Sequence, residues 1–257
     1  MNFDDNLNAC AALVEKADPD RFAAAMAAPV AARAVLFPLY ALNVEVSRAP
    51  WVTQEPMIAE MRLQWWRDAL EEIAEARPVR RHEVVTPLAR VLPKELAPVL
   101  DRLVAARRWD IYKDAFEDEA HFHSYISETA GGLMWAAACA LGEDTSSQVE
   151  NEVRAVGYAA GLARFLQAVP ELEAQKRVPL VDGRREAIAA LANDALRNLP
   201  QVSRTKKRMA RAARSALTEA FMANSILKQA AAEPGRVAQG ALGISRLKRS
   251  VLLWRWS

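Results

Sequence analysis

Apolar and polar side chains recur with helical spacing along most of the chain, and the segment from Glu55 to Arg77 shows the pattern well. Its polar residues recur at steps of three and four and form one stripe. Ile58, Met61 and Trp65 begin one apolar line, and a second line containing Leu63 runs beside it. So wide an apolar face predicts a helix packed against several neighbours inside a bundle.

Prolines and glycines divide the chain into helix-sized pieces. Abundant alanine favours helix, and no alternating pattern is long enough to indicate a sheet. The absence of a Ser/Gly-rich linker predicts a single domain over residues 1–257. The fold class is therefore all-α, with helices predicted at 6–16, 19–27, 30–48, 56–76, 84–91, 95–115, 119–141, 147–168, 184–197, 202–231 and 242–255.

The amino-acid composition and net charge exclude several classes of protein. Hydrophobic residues make up 52% of the chain and charged residues 26%, which suits a large core. The net charge of +2 gives no case for nucleic-acid binding. Cys10 and Cys139 are far apart and favour a reducing compartment over a disulfide framework. The acidic start predicts no targeting segment, and no apolar run approaches the roughly 20 residues of a membrane span. We therefore expect a cytoplasmic protein.

Two glycines share one face of the predicted helix at 147–168. Gly157, Gly161 and Arg164 lie on that face together with Ala168. Glycine inside a helix costs about 1 kcal/mol relative to alanine, so its presence needs a reason. The face either makes a close helix contact or leaves space for a ligand.

Four stretches, in order, resemble the squalene/phytoene synthase family. They are the opening Asp18–Phe22 with Arg33 and LYAL at 39–42, then RLQWWRDAL at 62–70, YISETAG at 125–131, and the helix and loop from Gly157 to Pro179. Each element alone is weakly specific, but the ordered set covers nearly the whole chain. The resemblance implies an isoprenoid-synthase bundle with a central cavity, in which Tyr40 and Asn43 face Gly157, Gly161 and Arg164.

The resemblance also implies where metal ligands should lie, and they are missing. Members of this family join two prenyl diphosphates and use two aspartate-rich motifs to hold Mg²⁺ against the departing diphosphate. Here the first motif falls on Ser47–Trp51 (SRAPW) and the second on Ala168–Leu172 (AVPEL), where Pro170 should end the helix. Arg48 should repel Mg²⁺ and attract diphosphate. No metal site and no catalytic residue is predicted.

One branch of the family shares this loss. The segments ALNVEVSR at 41–48, MRLQWW at 61–66 and LQAVP at 166–170 are similar to synthase-like assembly factors of respiratory complex I. That resemblance implies a non-catalytic role in assembling a membrane respiratory complex, with its subunits as partners, at the inner membrane. Two alternatives stay open. They are an active Mg²⁺-dependent head-to-head prenyl synthase and a carrier that binds an isoprenoid lipid without turnover.

The resemblance and the helix pattern together give a set of candidate ligand-binding residues around the cavity: Arg33, Tyr40, Asn43, Glu45, Arg48, Tyr125, Gly157, Gly161, Arg164 and Gln167. No cofactor is expected, with Mg²⁺ required only by the synthase alternative.

The C-terminal segment carries a second candidate surface. Leu247, Val251 and Trp254 share one side of the predicted helix, with basic residues beside them. Tryptophan and arginine suit the headgroup boundary of a membrane, although the helix could equally dock onto the bundle. The basic cluster at 204–214 either is a solvated face, helped by Glu219, or contacts anionic lipid.

Overall fold

The computed structural model describes residues 4–53 and 55–257, and within these ranges the architecture is helical, without a strand. Helix accounts for 73% of the chain, which confirms the predicted all-α class. The α-helices are α1 (Asp5–Ala17), α2 (Pro19–Ala27), α3 (Val30–Arg48), α4 (Pro56–Ala74), α5 (Val85–Val91), α6 (Ala97–Ala106), α7 (Glu119–Ile126), α8 (Gly132–Ala140), α9 (Glu150–Ala174), α10 (Arg185–Asn198), α11 (Val202–Arg208), α12 (Ala223–Ala232), α13 (Gly235–Ala238) and α14 (Arg246–Trp256). Shorter 3₁₀ segments lie at Lys94–Leu96, Arg107–Asp110 and Ala213–Ala220, and a π-helical turn at Ser127–Gly131.

The first two helices meet at a shared cap. Asp18 ends α1, and its side chain accepts a hydrogen bond of 3.0 Å from the backbone N–H of Arg21 in α2. Pro19 occupies the first position of α2, where a missing N–H costs nothing. A sharp corner results, and it directs Asp18 and Arg21 towards the centre of the molecule.

The centre of the bundle is built from α3, α8 and α9. Every residue of α8 from Gly132 to Cys139 is buried, and one hydrophobic core runs from Leu7 to Leu242. By length and composition α3 could cross a membrane, contrary to the expectation that no apolar run approaches that length. However, 67% of its apolar window is buried inside the bundle, as in a core helix.

Three predicted helices differ from the observed ones. The segment 119–141 is interrupted by the π-helical turn, and 95–115 breaks into α6 and a 3₁₀ segment. The single helix predicted over 202–231 is wrong, because α11, a 3₁₀ segment and α12 occupy that range. Periodicity alone does not separate these helix types, since their apolar spacing differs by less than one residue per turn.

Pro170 does not end its helix, so that prediction is also wrong. The residue lies inside α9, which continues to Ala174. Proline removes one backbone hydrogen bond but can be accommodated in a long helix that is held by its neighbours. The helix ends instead at Ala174, and two residues later Lys176 has a left-handed φ of 62°.

Only part of α4 is embedded as its apolar width predicted. Leu63 and Trp66 are buried on the side that packs against α6. Ile58 and Met61, in the other predicted apolar line, are 42% and 66% exposed. The first half of α4 therefore presents apolar side chains at the surface.

Candidate functional site

A cavity of about 500 Å³ lies between the C-terminal half of α3 and the middle of α9, as the sequence predicted for the centre of the bundle. The corner between α1 and α2, the 3₁₀ segment at Arg107–Asp110 and the π-helical turn complete its walls. The lining mixes apolar and charged side chains. Its residues are Ala17, Asp18, Arg21, Asn43, Val44, Ser47, Arg48, Trp51, Arg107, Asp110, Tyr125, Ile126, Thr129, Ala130, Gly161, Arg164, Phe165, Ala168, Glu171, Leu172 and Gln175.

A buried ion network forms one end of the cavity. Arg21 donates hydrogen bonds to Asp18, at 2.9 Å, and to the carboxylate of Glu219. Arg164 donates to the same carboxylate at 3.3 Å and to the backbone carbonyl of Glu219 at 2.9 Å. Burial alone would raise the pKa of Asp18, but Arg21 and Arg164 hold it below its ordinary value. Asp18 and Glu219 are thus occupied by arginines.

A second network lines the opposite wall. The hydroxyl of Tyr125 donates to Asp110 at 2.9 Å and accepts from Arg107 at 2.7 Å. Burial raises the pKa of the Tyr125 hydroxyl, which stays protonated as a donor. Arg177 donates to the backbone carbonyl of Asp110, and its guanidinium lies 4.5 Å from the ring centre of Trp51. Arg107 also donates to the carboxylate of Asp110 at 3.2 Å, so both carboxylate oxygens accept hydrogen bonds from within the protein.

The two glycines of α9 allow a close approach to the π-helical turn. A Cβ on Gly157 would lie 2.8 Å from Gly131, and one on Gly161 would lie 2.4 Å from the Cβ of Ala130. The hydroxyl of Thr129 donates to the carbonyl of Tyr125 at 2.6 Å and satisfies an acceptor within the turn. Close helix contact explains both glycines, and Gly161 in addition lines the cavity.

The structure brings together five of the ten candidate residues. Asn43, Arg48, Tyr125, Gly161 and Arg164 all line the cavity. The other five are absent from the lining. Tyr40 is buried with the guanidinium of Arg21 over its ring, and Gly157 packs on the π-helical turn. Glu45 lies 3.7 Å from Arg48. Arg33 donates a hydrogen bond to the carbonyl of Ala28, and Gln167 donates one to the carbonyl of Leu242.

Sequence reasoning missed several charged residues of the site. Arg107 and Asp110 lie in a segment without a distinctive motif, whereas Arg21 lies in the family-like opening Asp18–Phe22 but was not among the candidate residues. Glu219 was assigned to a solvated face, which is wrong, because its side chain is 1% exposed and binds Arg21 and Arg164. The only hint in the sequence is that Glu219 is a lone acid between apolar residues, which is a weak signal of a buried charge.

A family model described as squalene/phytoene synthase matches residues 14–249. The chain belongs to the squalene/phytoene synthase family. The predicted resemblance is thereby confirmed.

Relatives by sequence carry assembly-factor names. The chain is 31% identical over 179 residues to a Drosophila melanogaster protein named "NADH dehydrogenase (ubiquinone) complex I, assembly factor 6 homolog", covering 67% of this chain and 53% of that protein. Identity to the Homo sapiens assembly factor 6 is 23%, over 66% of this chain and 51% of the relative. The chain thus spans about half the length of the curated relatives it matches.

Solved structures of synthases share the fold. A dehydrosqualene synthase in complex with ligand superposes with a TM-score of 0.77 at 14% identity, covering 98% of this chain and 95% of that one. The squalene synthase HpnC from Alicyclobacillus acidocaldarius gives 0.71 at 15% identity, over 93% and 95%. The predicted isoprenoid-synthase bundle is confirmed as the fold.

The positions that the sequence resemblance assigns to the two aspartate motifs of squalene/phytoene synthases face each other across the cavity. Ser47, Arg48 and Trp51 lie on one side, and the second motif contributes Ala168, Glu171 and Leu172 on the other. Magnesium requires several oxygen ligands, usually including carboxylates. Glu171 is exposed and accepts a hydrogen bond from Gln175, while Arg48 brings a positive charge. These residues do not fit the Mg²⁺ cluster of the family.

The remaining carboxylates of the cavity do not form a metal site either. Asp18 and Asp110, the other acids of the cavity, are held by Arg21 and by Arg107 with Tyr125. Within residues 4–53 and 55–257, no three or more His, Cys, Asp or Glu side chains are grouped so that they could hold a metal ion. The donor set of the cavity therefore suits anions better than cations.

A second surface lies at the C-terminus. Helix α14 docks through one side, where Arg249 pairs with Asp20 at 2.6 Å and Lys206 donates to the carbonyl of Trp256. Its other side points to solvent, with Leu247, Val251 and Trp254 exposed by 77%, 47% and 78%. The docking interpretation is confirmed for one side of the helix. Membrane contact through the exposed side stays a prediction.

Positive charge concentrates around this surface. Residues 201–257 hold twelve of the 34 lysines and arginines but only two of the 32 acids. Arg204, Lys207 and Arg211 are exposed, whereas Arg208 pairs with Glu152. The small net charge of the whole chain therefore conceals a strongly basic C-terminal part.

Proposed function

We propose that this protein acts without catalysis in the assembly of respiratory complex I. The relatives that carry assembly-factor names support this role, and so does the altered cavity. The observation that carries the proposal is the pair of facing motifs, in which Arg48 and a single exposed Glu171 stand where squalene/phytoene synthases place paired aspartates. Without an ion to neutralise a departing diphosphate, ionisation of a prenyl substrate loses several kcal/mol of stabilisation.

The assembly role is tested by deleting the gene in the organism that carries it. We expect less assembled complex I on native gels and lower NADH:ubiquinone activity, with complex II unchanged as the control. A plasmid copy of the gene should restore complex I. Normal complex I in the deletion strain, under conditions where complex I is required, contradicts the proposal.

The absence of catalysis is tested separately with purified protein. Farnesyl or geranylgeranyl diphosphate and Mg²⁺ should yield no pyrophosphate above the buffer blank, and an active synthase of the family serves as the positive control. Release of pyrophosphate that a chelator abolishes favours the alternative, an active head-to-head prenyl synthase.

The assembly role can be tested apart from any membrane contact of α14. For this test, the deletion strain is complemented with a chain truncated before α14.

We also propose that the protein associates peripherally with an anionic membrane through α14. The exposed side of this helix combines Leu247, Val251 and Trp254 with the basic Lys248 and Arg255. Indole rings favour the headgroup boundary, and each basic residue near an anionic surface contributes about 1 kcal/mol. A membrane surface is also where the subunits of a respiratory membrane complex are available as partners.

A further inference from the structure

The unpartnered polar atoms of the cavity are mainly hydrogen-bond donors. Among the described residues, Nε of Arg107 and Nη1 of Arg164 are buried and have no partner. The side chain of Arg48 is 52% exposed at the rim, and its nearest carboxylate, Glu45, is 3.7 Å away. The partly buried Asp18 and the buried Asp110 already accept hydrogen bonds from arginines. Oε1 of Glu219 also has no partner among the described residues, but Glu219 does not line the cavity. The unpartnered guanidinium nitrogens of lining residues therefore favour a ligand with negative charge.

Asn43 gives an independent indication that the cavity has an occupant. Its residue is only 5% exposed, it lines the cavity, and its Oδ1 has no partner among the described residues. Buried amides are nearly always hydrogen-bonded, and one left unpaired carries a free-energy cost. A ligand or water that donates to this oxygen would remove that cost.

We propose that the cavity binds an amphiphile with a single oxyanion head, a phosphate monoester or a carboxylate, without a metal ion. Arg48 contacts the head at the rim, where an aspartate motif holds Mg²⁺ in synthases of the family. A charge-assisted hydrogen bond from a guanidinium to an oxyanion is short and strong, and it replaces the metal bridge. Asn43 accepts a hydrogen bond from a protonated head oxygen or from a bridging water.

The walls suit an apolar body. Val44, Ile126, Phe165 and Leu172 contribute apolar side chains to the cavity lining, and a space of about 500 Å³ is within the ordinary range for small-molecule sites. This binding is a property of the isolated protein. Its presence or absence therefore does not decide the proposed role in assembly. It also differs from the chemistry of the family in charge, since arginine takes the place of carboxylate plus Mg²⁺.

Calorimetric titration of the full chain tests this proposal in EDTA or in MgCl₂. The probes are dodecyl phosphate and dodecanoate, each below its critical micelle concentration, and dodecanol below its solubility limit. At least one anionic probe should bind in EDTA with an affinity that Mg²⁺ does not raise, and dodecanol should bind at least about tenfold more weakly. Binding of dodecyl phosphate alone assigns a phosphate head, and equal binding of dodecanoate assigns a general oxyanion site.

Three variants locate the site. Arg48→Gln should weaken the anionic probe about tenfold or more and leave dodecanol unchanged, since it removes one charge-assisted contact. Ala168→Phe, on an exposed wall residue, should weaken all probes alike. Arg62→Gln, an exposed residue of α4 outside the cavity, is the matched control and should bind as the wild type. Binding that requires Mg²⁺, equal affinity for dodecanol, or equal loss in Arg62→Gln and Arg48→Gln overturns the proposal.

Discussion

Arg164 in α9 donates hydrogen bonds to both the backbone carbonyl and the carboxylate of Glu219, across 55 residues of sequence. The same carboxylate accepts from Arg21 in α2, so one buried acid joins three parts of the chain. Its other oxygen, Oε1, is buried with no partner among the described residues. The bundle is thus fixed at one end of the cavity by charge as well as by packing.

Replacing this acid should destabilise the fold. Glu219→Gln keeps the shape but leaves Arg21 and Arg164 short of a counter-charge, and breaking a buried ion pair costs about 3 kcal/mol or more. Urea unfolding followed by circular dichroism measures the change. Glu233→Gln is the control, because its side chain is 69% exposed and its pair with Arg236 should contribute less than about 1 kcal/mol. Equal stability of the two variants contradicts a structural role for the network.

Gly161 should not tolerate a methyl group. Its added Cβ would lie 2.4 Å from the Cβ of Ala130, so helix α9 or the π-helical turn must move. Overpacking costs about 1–3 kcal/mol, against a gain of about 1 kcal/mol in helix propensity. We expect a net loss of stability in Gly161→Ala and partial recovery in the double variant with Ala130→Gly.

A matched glycine serves as the control for this test. A Cβ on Gly183 would meet nothing within 4 Å. Gly183→Ala should therefore leave the midpoint of urea unfolding unchanged or slightly higher, because alanine restricts the unfolded chain. If Gly161→Ala is as stable as Gly183→Ala, the distance between α9 and the π-helical turn is large enough to hold a methyl group, which contradicts the close contact.

Helix α3 and its place opposite α9 across the cavity could be predicted from the sequence and its family resemblance, and the charged ends of the cavity could not. The limits of α3, 30–48, agree with the observed helix, since Pro29 and the turn after Arg48 mark its ends. The 3.6-residue period places Gly161 and Arg164 on one face of α9, and the family resemblance implies that this face lies opposite Asn43 across the cavity. Glu219 depends on a contact across the fold, and no local pattern records such a contact.

Both thiols should be inert in the native state. Burial raises the pKa of Cys10 and of Cys139 to about 12. At pH 8 only about one thiol in ten thousand is then ionised, and the thiolate is the reactive form. Iodoacetamide should label neither residue in native buffer and both in urea. Native labelling faster than global unfolding contradicts the burial.

The same shift gives a dependence of stability on pH. The folded-state pKa lies above the ordinary value of 9.0, so the folded chain retains thiol protons that the unfolded chain releases. The contribution of the thiols to stability is complete below pH 9 and is lost progressively as the pH rises from 9 towards 12. Substituting Cys10 and Cys139 by alanine should flatten this part of the curve of unfolding free energy against pH.

Membrane association should depend on the exposed side of α14. Full-length protein should sediment with vesicles of phosphatidylcholine and phosphatidylglycerol at low salt, less at high salt, and not with phosphatidylcholine alone. The double variant Leu247→Ser, Trp254→Ser removes two side chains that are 77% and 78% exposed, so folding should be unaffected. A large apolar side chain contributes about 1.5–3 kcal/mol when it is fully buried in an apolar phase. Because the variant loses two such side chains, its binding to the vesicles should fall to background.

The control for this prediction is an equally apolar surface elsewhere on the protein. Met57 and Met61 in α4 are 75% and 66% exposed, outside the basic C-terminal part. If general hydrophobicity drove sedimentation, Met57→Ser, Met61→Ser would reduce it as much as the α14 variant does. If α14 is the contact, the α4 variant should sediment as the wild type. Equal sedimentation of all three proteins removes α14 as the membrane contact, because its exposed leucine and tryptophan would then have no effect on binding.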